Sequence, residues 1–403
     1  MLETFSLATV WIALAVFATA LAKWINLSIA LVEICVGVAA GAVATHFFGP
    51  DSLGSNAEWI KFIATSGSVL LTFLAGAELE PESMKTKIME TAAVGTIGFA
   101  APFMGCFLVA RFILNWETSP SLLTGVALST TSMAVVYAVM VEFGFNKTDY
   151  GKGVLGACFL NDLGTVLVLG VLFAPFTYRT AVFLGVSSVV FICLPTATRG
   201  LISHFAHRTA AIRTKWVLLI IFGLGTLAIW ASHEAVLPSY IAGMVLSGTL
   251  SKDDFFIRRL RTFTIGFLAP FYFIRAGSFV SLSAVAAAPA LLLVLLFGKV
   301  LSKIFGLVPV IGVFHPERNA KWYYTLLMST GLTFGTISAL YGYTHGIVSQ
   351  QQYSLIVAAV IASAVVPTMI ANRFFLPRHL LVTTVTTQPV PKQFDEEEEE
   401  VAE

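Results

Sequence analysis

Three features of the sequence point to an all-α polytopic membrane protein. Of 403 residues, 57% are hydrophobic and only 12% charged, with a mean hydropathy of +0.84. That balance suits a chain solvated by lipid rather than by water. Apolar runs near the length needed to cross a bilayer, roughly 20 residues at ~1.5 Å each, recur about thirteen times. Placing the N-terminus outside puts nearly all of the 24 lysines and arginines on the cytoplasmic side. Only Lys61, Arg111 and Arg179 then lie outside, and Arg275 and Lys299 fall within runs. Basic residues favour cytoplasmic connections, so the bias predicts an odd helix number, an external N-terminus and a cytoplasmic C-terminus.

In chain order the runs are 5–22, 28–48, 58–79, 89–114, 120–143, 150–174, 179–202, 214–232, 237–250, 261–281, 284–308, 320–345 and 352–376. Met1-Leu2-Glu3 lacks the basic stretch of a cleaved signal peptide, so the first run is expected to be kept as a helix. Pro102, Pro195, Pro270 and Pro289 fall inside runs, where a missing N–H and a clashing ring should kink the helices. The ninth run is short. Residues 1–380 form the transmembrane domain. Beyond Leu381, a Thr/Val/Pro-rich segment leads to the acidic run Asp395–Glu400, so 381–403 is expected to be a solvated, disordered acidic tail on the cytoplasmic side.

Composition also excludes function classes. A net charge of +1 offers no basic face for nucleic acid. Cys35, Cys106, Cys158 and Cys193 lie within apolar runs without metal-ligand spacing, so they read as reduced core residues. No P-loop or dinucleotide fingerprint occurs. The seven histidines show no zinc-site spacing. Neither a cofactor nor an enzymatic nucleophile–base pair is expected.

The polar residues inside the apolar runs carry the functional signal. Asn161 and Asp162 sit side by side near the middle of the sixth run. A mid-bilayer carboxylate costs about 2.5–3.5 kcal/mol on insertion scales unless it is protonated, paired or wet. Asp162 therefore reads as a group that binds a proton or a cation by turns; the plainer reading is a buried Asp bonding a neighbouring helix. Ser129, Thr130, Thr131 and Ser132 fall mid-run in the fifth helix, and Ser329, Thr330 and Thr333 in the twelfth. Such hydroxyls bond their own backbone and can open a helix, exposing carbonyls that suit a hard cation. Small-residue helix packing is the alternative.

Lys299 either snorkels toward the cytoplasm, as Lys303 one turn later is expected to do, or neutralises a carboxylate or opened-helix carbonyls. Arg275, Glu78 and Glu33 read as structural charges, with Arg275 expected in an ion pair. An internal repeat accompanies these clusters. Residues 71–79 of the third run echo 271–279 of the tenth, and the fifth-run hydroxyls echo those of the twelfth. A spacing of seven helices is odd, so the halves run oppositely through the membrane, the inverted repeat of secondary transporters.

Taken in order, Leu71–Glu80, Ala127–Val135, Leu160–Asp162, Phe271–Gly277 and Met328–Thr336 resemble the monovalent cation:proton antiporter-2 family over essentially the whole chain to about Leu380. The resemblance implies an inverted-repeat antiporter fold with core and dimerisation domains, the core at about 58–174 and 261–376. It further implies crossed discontinuous helices at the fifth and twelfth runs, a homodimer and elevator-type motion in the cell (inner) membrane. The implied activity is exchange of Na+ or K+ for H+, with Asp162 as ion carrier and Lys299 in the core-cation position. Asn161 departs from the paired aspartates of electrogenic members and resembles electroneutral ones, which favours one-for-one exchange. The alternative function is an organic-anion or other solute carrier or symporter on the same kind of fold. Proton and cation competing for Asp162 would make activity rise with pH.

Overall fold

The computed structural model describes residues 1–25, 28–49, 52–77, 87–143, 145, 148–173, 177–205, 212–231, 233, 235–250 and 254–380. Every regular element among them is helical. Nine helices among the described residues have the length and composition to cross a membrane. They are α1 (Leu2–Ile25), α2 (Ile29–Phe48), α3 (Glu58–Ala77), α4 (Ile88–Leu108, extended by a π-turn over Val109–Ile113), α7 (Asp149–Phe173), α8 (Tyr178–Phe205), α9 (Ile212–Trp230), α14 (Pro289–Phe314) and α17 (Gln350–Phe374). The other four runs become shorter or broken helices: α5 (Thr118–Ser129) with α6 (Met133–Glu142), α10 (Val236–Leu250), α11 (Asp254–Phe263) with α12 (Ala269–Ser278), and α15 (Arg318–Met328) with α16 (Thr333–Thr344). The short α13 (Leu282–Ala287) precedes α14. This is consistent with the expected all-helical fold and its thirteen runs.

Two prolines behave differently from the expectation of mid-helix kinks. Pro289 opens α14, where its missing N–H is one of the unsatisfied donors of a first turn. Pro270 sits at the start of α12, just after a π-turn over Thr264–Leu268. Pro102 and Pro195 do lie inside α4 and α8.

The most extensive helix contacts are α3 with α10 and α2 with α12; α4 packs against α5, α7 and α14. In packing terms, α3 and α12 thus lie with α2 and α10. Both leading seams close on glycine. A Cβ on Gly277 of α12 would meet the Gly37 Cα of α2 at 3.0 Å, and a Cβ on Gly243 of α10 would meet the Gly76 Cα of α3 at 3.1 Å. Moving seven runs along the chain turns the second run into the ninth and the third into the tenth. The two seams are therefore exchanged by the internal repeat.

Candidate functional site

The fifth and twelfth runs both break at their hydroxyls, and the two breaks meet. After Ser129, Thr130 is extended (φ −63°, ψ 153°), and the helix resumes at Met133. After Met328, the chain passes through Ser329 and the non-helical Leu332 (φ −150°, ψ −78°) before α16 begins at Thr333. Side chains cap the loose ends: Ser129 Oγ donates to Val126 O at 2.8 Å, Thr130 Oγ1 to Ala127 O at 3.0 Å and Thr330 Oγ1 to Leu327 O at 2.7 Å. Bonds also cross between the breaks. Thr131 Oγ1 donates to Met328 O at 2.8 Å, and Ser132 N donates to Thr330 Oγ1 at 3.4 Å. Residues 129–132, 329 and 330 are all buried, while Thr333 is half-buried.

α7 brings Asn161 and Asp162 into this region. Asn161 Nδ2 donates to Ser129 O at 3.3 Å, at the last turn of α5. Asn161 Oδ1 and Asp162 Oδ1 are buried with no hydrogen-bond partner in the structure. A buried polar oxygen without a donor is costly. Two beside a pair of opened helices leave acceptors free for a cation, or for a proton on the carboxylate.

α14 supplies two cations. Its buried residues Leu295, Lys299, Lys303, Leu307 and Ile311 recur every four positions and form one inward stripe. Lys299 is fully buried, and its Nζ, which lacks a hydrogen-bond partner, occupies the space that a Cβ on Gly331 of the second break would need. Lys303, expected to snorkel into the cytoplasm, is also fully buried and donates to Thr131 Oγ1 at 3.0 Å. The physical reason is helix length. α14 runs to Phe314, beyond the expected end at 308, so Lys303 lies well inside it on the face of Lys299. The four-residue spacing is the sequence signal that points to Lys303.

The remaining singled-out charges lie elsewhere. Arg275 Nε donates to Ser55 O at 2.8 Å, and its guanidinium lies 4.9 Å from the Phe279 ring centroid. Glu33 is buried on α2, with Oε1 lacking a hydrogen-bond partner. Glu78 and the acidic tail lie outside the described residues. No group of three His, Cys, Asp or Glu side chains that could hold a metal ion occurs among the described residues.

A small, partly open pocket lies between α7, α10 and α16, lined by Thr165, His233, Phe334, Ser338 and Tyr341 among others. Thr165 Oγ1 donates to Asn161 O at 3.1 Å, so the lining approaches the site by one helical turn. His233 Nε2 is 3.1 Å from Thr180 Oγ1, and partial burial pushes its pKa below the ordinary value of 6.5. Below pH 6.5 the unfolded chain takes up a proton that folded His233 resists, so this contribution to stability is lost on acidification. Comparing thermal unfolding of the wild type and His233→Gln across that range should show a smaller acid loss for the variant.

The family model described as "Sodium/hydrogen exchanger, transmembrane" matches residues 12–375. A protein of Methanocaldococcus jannaschii called probable Na(+)/H(+) antiporter 3 is 24% identical over 335 residues, spanning 80% of this chain and 85% of its own. The Arabidopsis thaliana cation/H(+) antiporter 17 is 22% identical over 84% of this chain, which spans 45% of that relative's length. Among solved structures, the sodium proton antiporter MjNhaP1 from Methanocaldococcus jannaschii superposes with a TM-score of 0.68 over 93% of this chain and 99% of its own, at 16% identity. At that identity the likeness is one of fold.

Proposed function

This chain belongs to the transmembrane sodium/hydrogen exchanger family, and from that premise we propose that it is a secondary antiporter exchanging a monovalent cation, Na+ in preference to K+, for H+. The observation that carries this reading is the buried Asp162, with an open carboxylate oxygen, beside two crossed helix breaks. A proton and a cation bind there by turns, and only the loaded carboxylate crosses. Thr130, Thr131, Ser132 and the open Asn161 oxygen complete the cation's ligands. The names of the relatives support the cation and proton as substrates.

Asn161 cannot ionise, so a single carboxylate serves both substrates. Neutralised by H+ in one half-cycle and by the cation in the other, it gives the site the same net charge each way. Exchange is therefore one-for-one and electroneutral. The chain works as a homodimer in the cell membrane, N-terminus outside, and the core that carries the breaks, at about 58–174 and 261–376, moves as an elevator. Two buried lysines facing the breaks are the feature that favours the alternative, an organic-anion carrier; the open carboxylate weighs against it.

Proteoliposomes containing a pH dye decide between these readings when challenged with Na+, K+, Li+ or a bile-acid-like anion. The expected result is alkalinisation or acidification driven by Na+ or K+ alone. Its rate should not change under an imposed potassium–valinomycin potential when Na+ is the driving ion. Anion-driven flux without a cation response would overturn the reading, and a steep voltage response would overturn electroneutrality.

A further inference from the structure

Two sulfur atoms meet at the crossing, and exchange at Asp162 uses neither. Cys158 lies four residues before Asp162 on α7. That spacing stacks the two side chains on one helix face, with Cβ atoms about 5–6 Å apart. Met328 is the last residue of α15, where the second break begins. Cys158 Sγ donates to Met328 Sδ at 3.4 Å, and both side chains are fully buried. α4 closes the far side: a Cβ on its Gly98 would lie 3.3 Å from Met328 Cε and 3.7 Å from Asn161 Nδ2. The main chain of Met328 belongs to the crossing as well, since its carbonyl accepts from Thr131 Oγ1 at 2.8 Å.

We propose that Cys158 and Met328 form a binding site for soft monovalent cations such as Ag+ and Cu+, and that a metal bound there blocks exchange. Thiolate and thioether are soft ligands that select such ions, whereas hard cations take oxygen. The route that delivers monovalent cations to Asp162 brings a soft one within a helical turn of ligands that fit it better. Binding exchanges charge for charge. The metal bonds to Sγ, the thiol proton leaves, and Sδ gives a lone pair, with no change of oxidation state. At ~2.3 Å for a metal–thiolate bond, a metal lying between the sulfurs needs them roughly 4.6 Å apart. They now stand 3.4 Å apart. Methionine is flexible and supplies part of the movement, but α4 behind its methyl group limits it. The end of α15 takes up the remainder. Its Met328 carbonyl then leaves Thr131, and the seam between the breaks is wedged open.

The block rests on the exchange reading, whereas binding is measured without transport. The exposed Cys35 and Cys193 are first replaced by alanine, in full-length protein kept in nitrate so that silver stays dissolved. In this background, mass spectrometry should find one tightly bound Ag+ per chain, with two sulfur neighbours by X-ray absorption. Stoichiometric Ag+ should lower cation-driven proton flux in proteoliposomes at least about tenfold. Cys158→Ala and Met328→Leu should each raise the half-inhibiting Ag+ concentration at least about tenfold, the loss expected when a metal site is damaged. Cys106→Ala should leave it unchanged. Met328→Leu keeps the thiol, so undiminished silver sensitivity in that variant would reduce the effect to the chemistry of one cysteine and overturn the site. Bound silver that leaves the flux intact, or silver retained by Cys158→Ala, overturns the proposal equally. If Cys158→Ala fails to fold, Cys158→Ser keeps the size and removes the sulfur. Absence of cation-coupled proton flux before silver is added would instead sink the exchange reading and leave the binding result standing.

Discussion

Asp162→Asn is expected to lower cation–proton exchange at least about a hundredfold, more than ~2.7 kcal/mol of lost driving interaction, while the protein still folds. The substitution is nearly isosteric and leaves the packing of α7 intact. It removes the one ionisable group on α7 that lies beside both breaks and has an open oxygen. Glu33 lies on α2, which packs chiefly against α12. Glu90 is engaged by His315. Dye-reported flux in proteoliposomes, with size-exclusion profile and unfolding temperature as controls, measures both halves. Wild-type flux from a well-folded Asp162→Asn protein would remove the centre of the proposed mechanism. In the wild type, the half-saturating cation concentration should fall as pH rises, because fewer protons compete for the same carboxylate.

Gly243→Val is expected to cost more than the ~1–3 kcal/mol typical of overpacking, and with it most of the folded protein. Its first added carbon would land on the backbone of α3, at the Phe73 carbonyl and 2.9 Å from the Ala77 nitrogen. Backbone cannot swing aside as a flexible side chain can, so the α3–α10 seam must open. Gly248→Val supplies the control. It lies on the same helix, and a Cβ there would have nothing within 4 Å, so its effect should stay within about 0.5 kcal/mol. Yield of monodisperse protein and unfolding temperature read the difference, and equal behaviour of the two variants would refute the seam's role.

Most of the transmembrane plan is legible in the sequence because hydrophobic length and charge asymmetry are strong local signals. The hydroxyl clusters at 129–132 and 329–333 mark both helix breaks for a physical reason, since side-chain bonding to backbone is itself local. What stays hidden depends on faces and ends. A run ending at 308 puts Lys303 at the cytoplasmic edge; six more residues of helix and a four-residue stripe carry it inward. Glu90 and His315 lie 225 positions apart, and neither has a local signature. The Arg275 contact with Ser55 O also needs the fold, because no sequence pattern announces a carbonyl as partner.

The crossed glycine seams have a consequence for biogenesis. Gly37 and Gly277 are about 240 residues apart, and contacts so distant in sequence form late and slowly. While the first half of the chain emerges, α2 has been inserted but its flat face has no partner. Only lipid can cover it until α12 is made. Gly76 is released sooner, when α10 follows. Assembly should therefore proceed in two closures, α3 onto α10 first and α2 onto α12 after it, and truncation between Leu250 and Ala269 should trap a species whose first seam is shut and whose second still lies open to the bilayer.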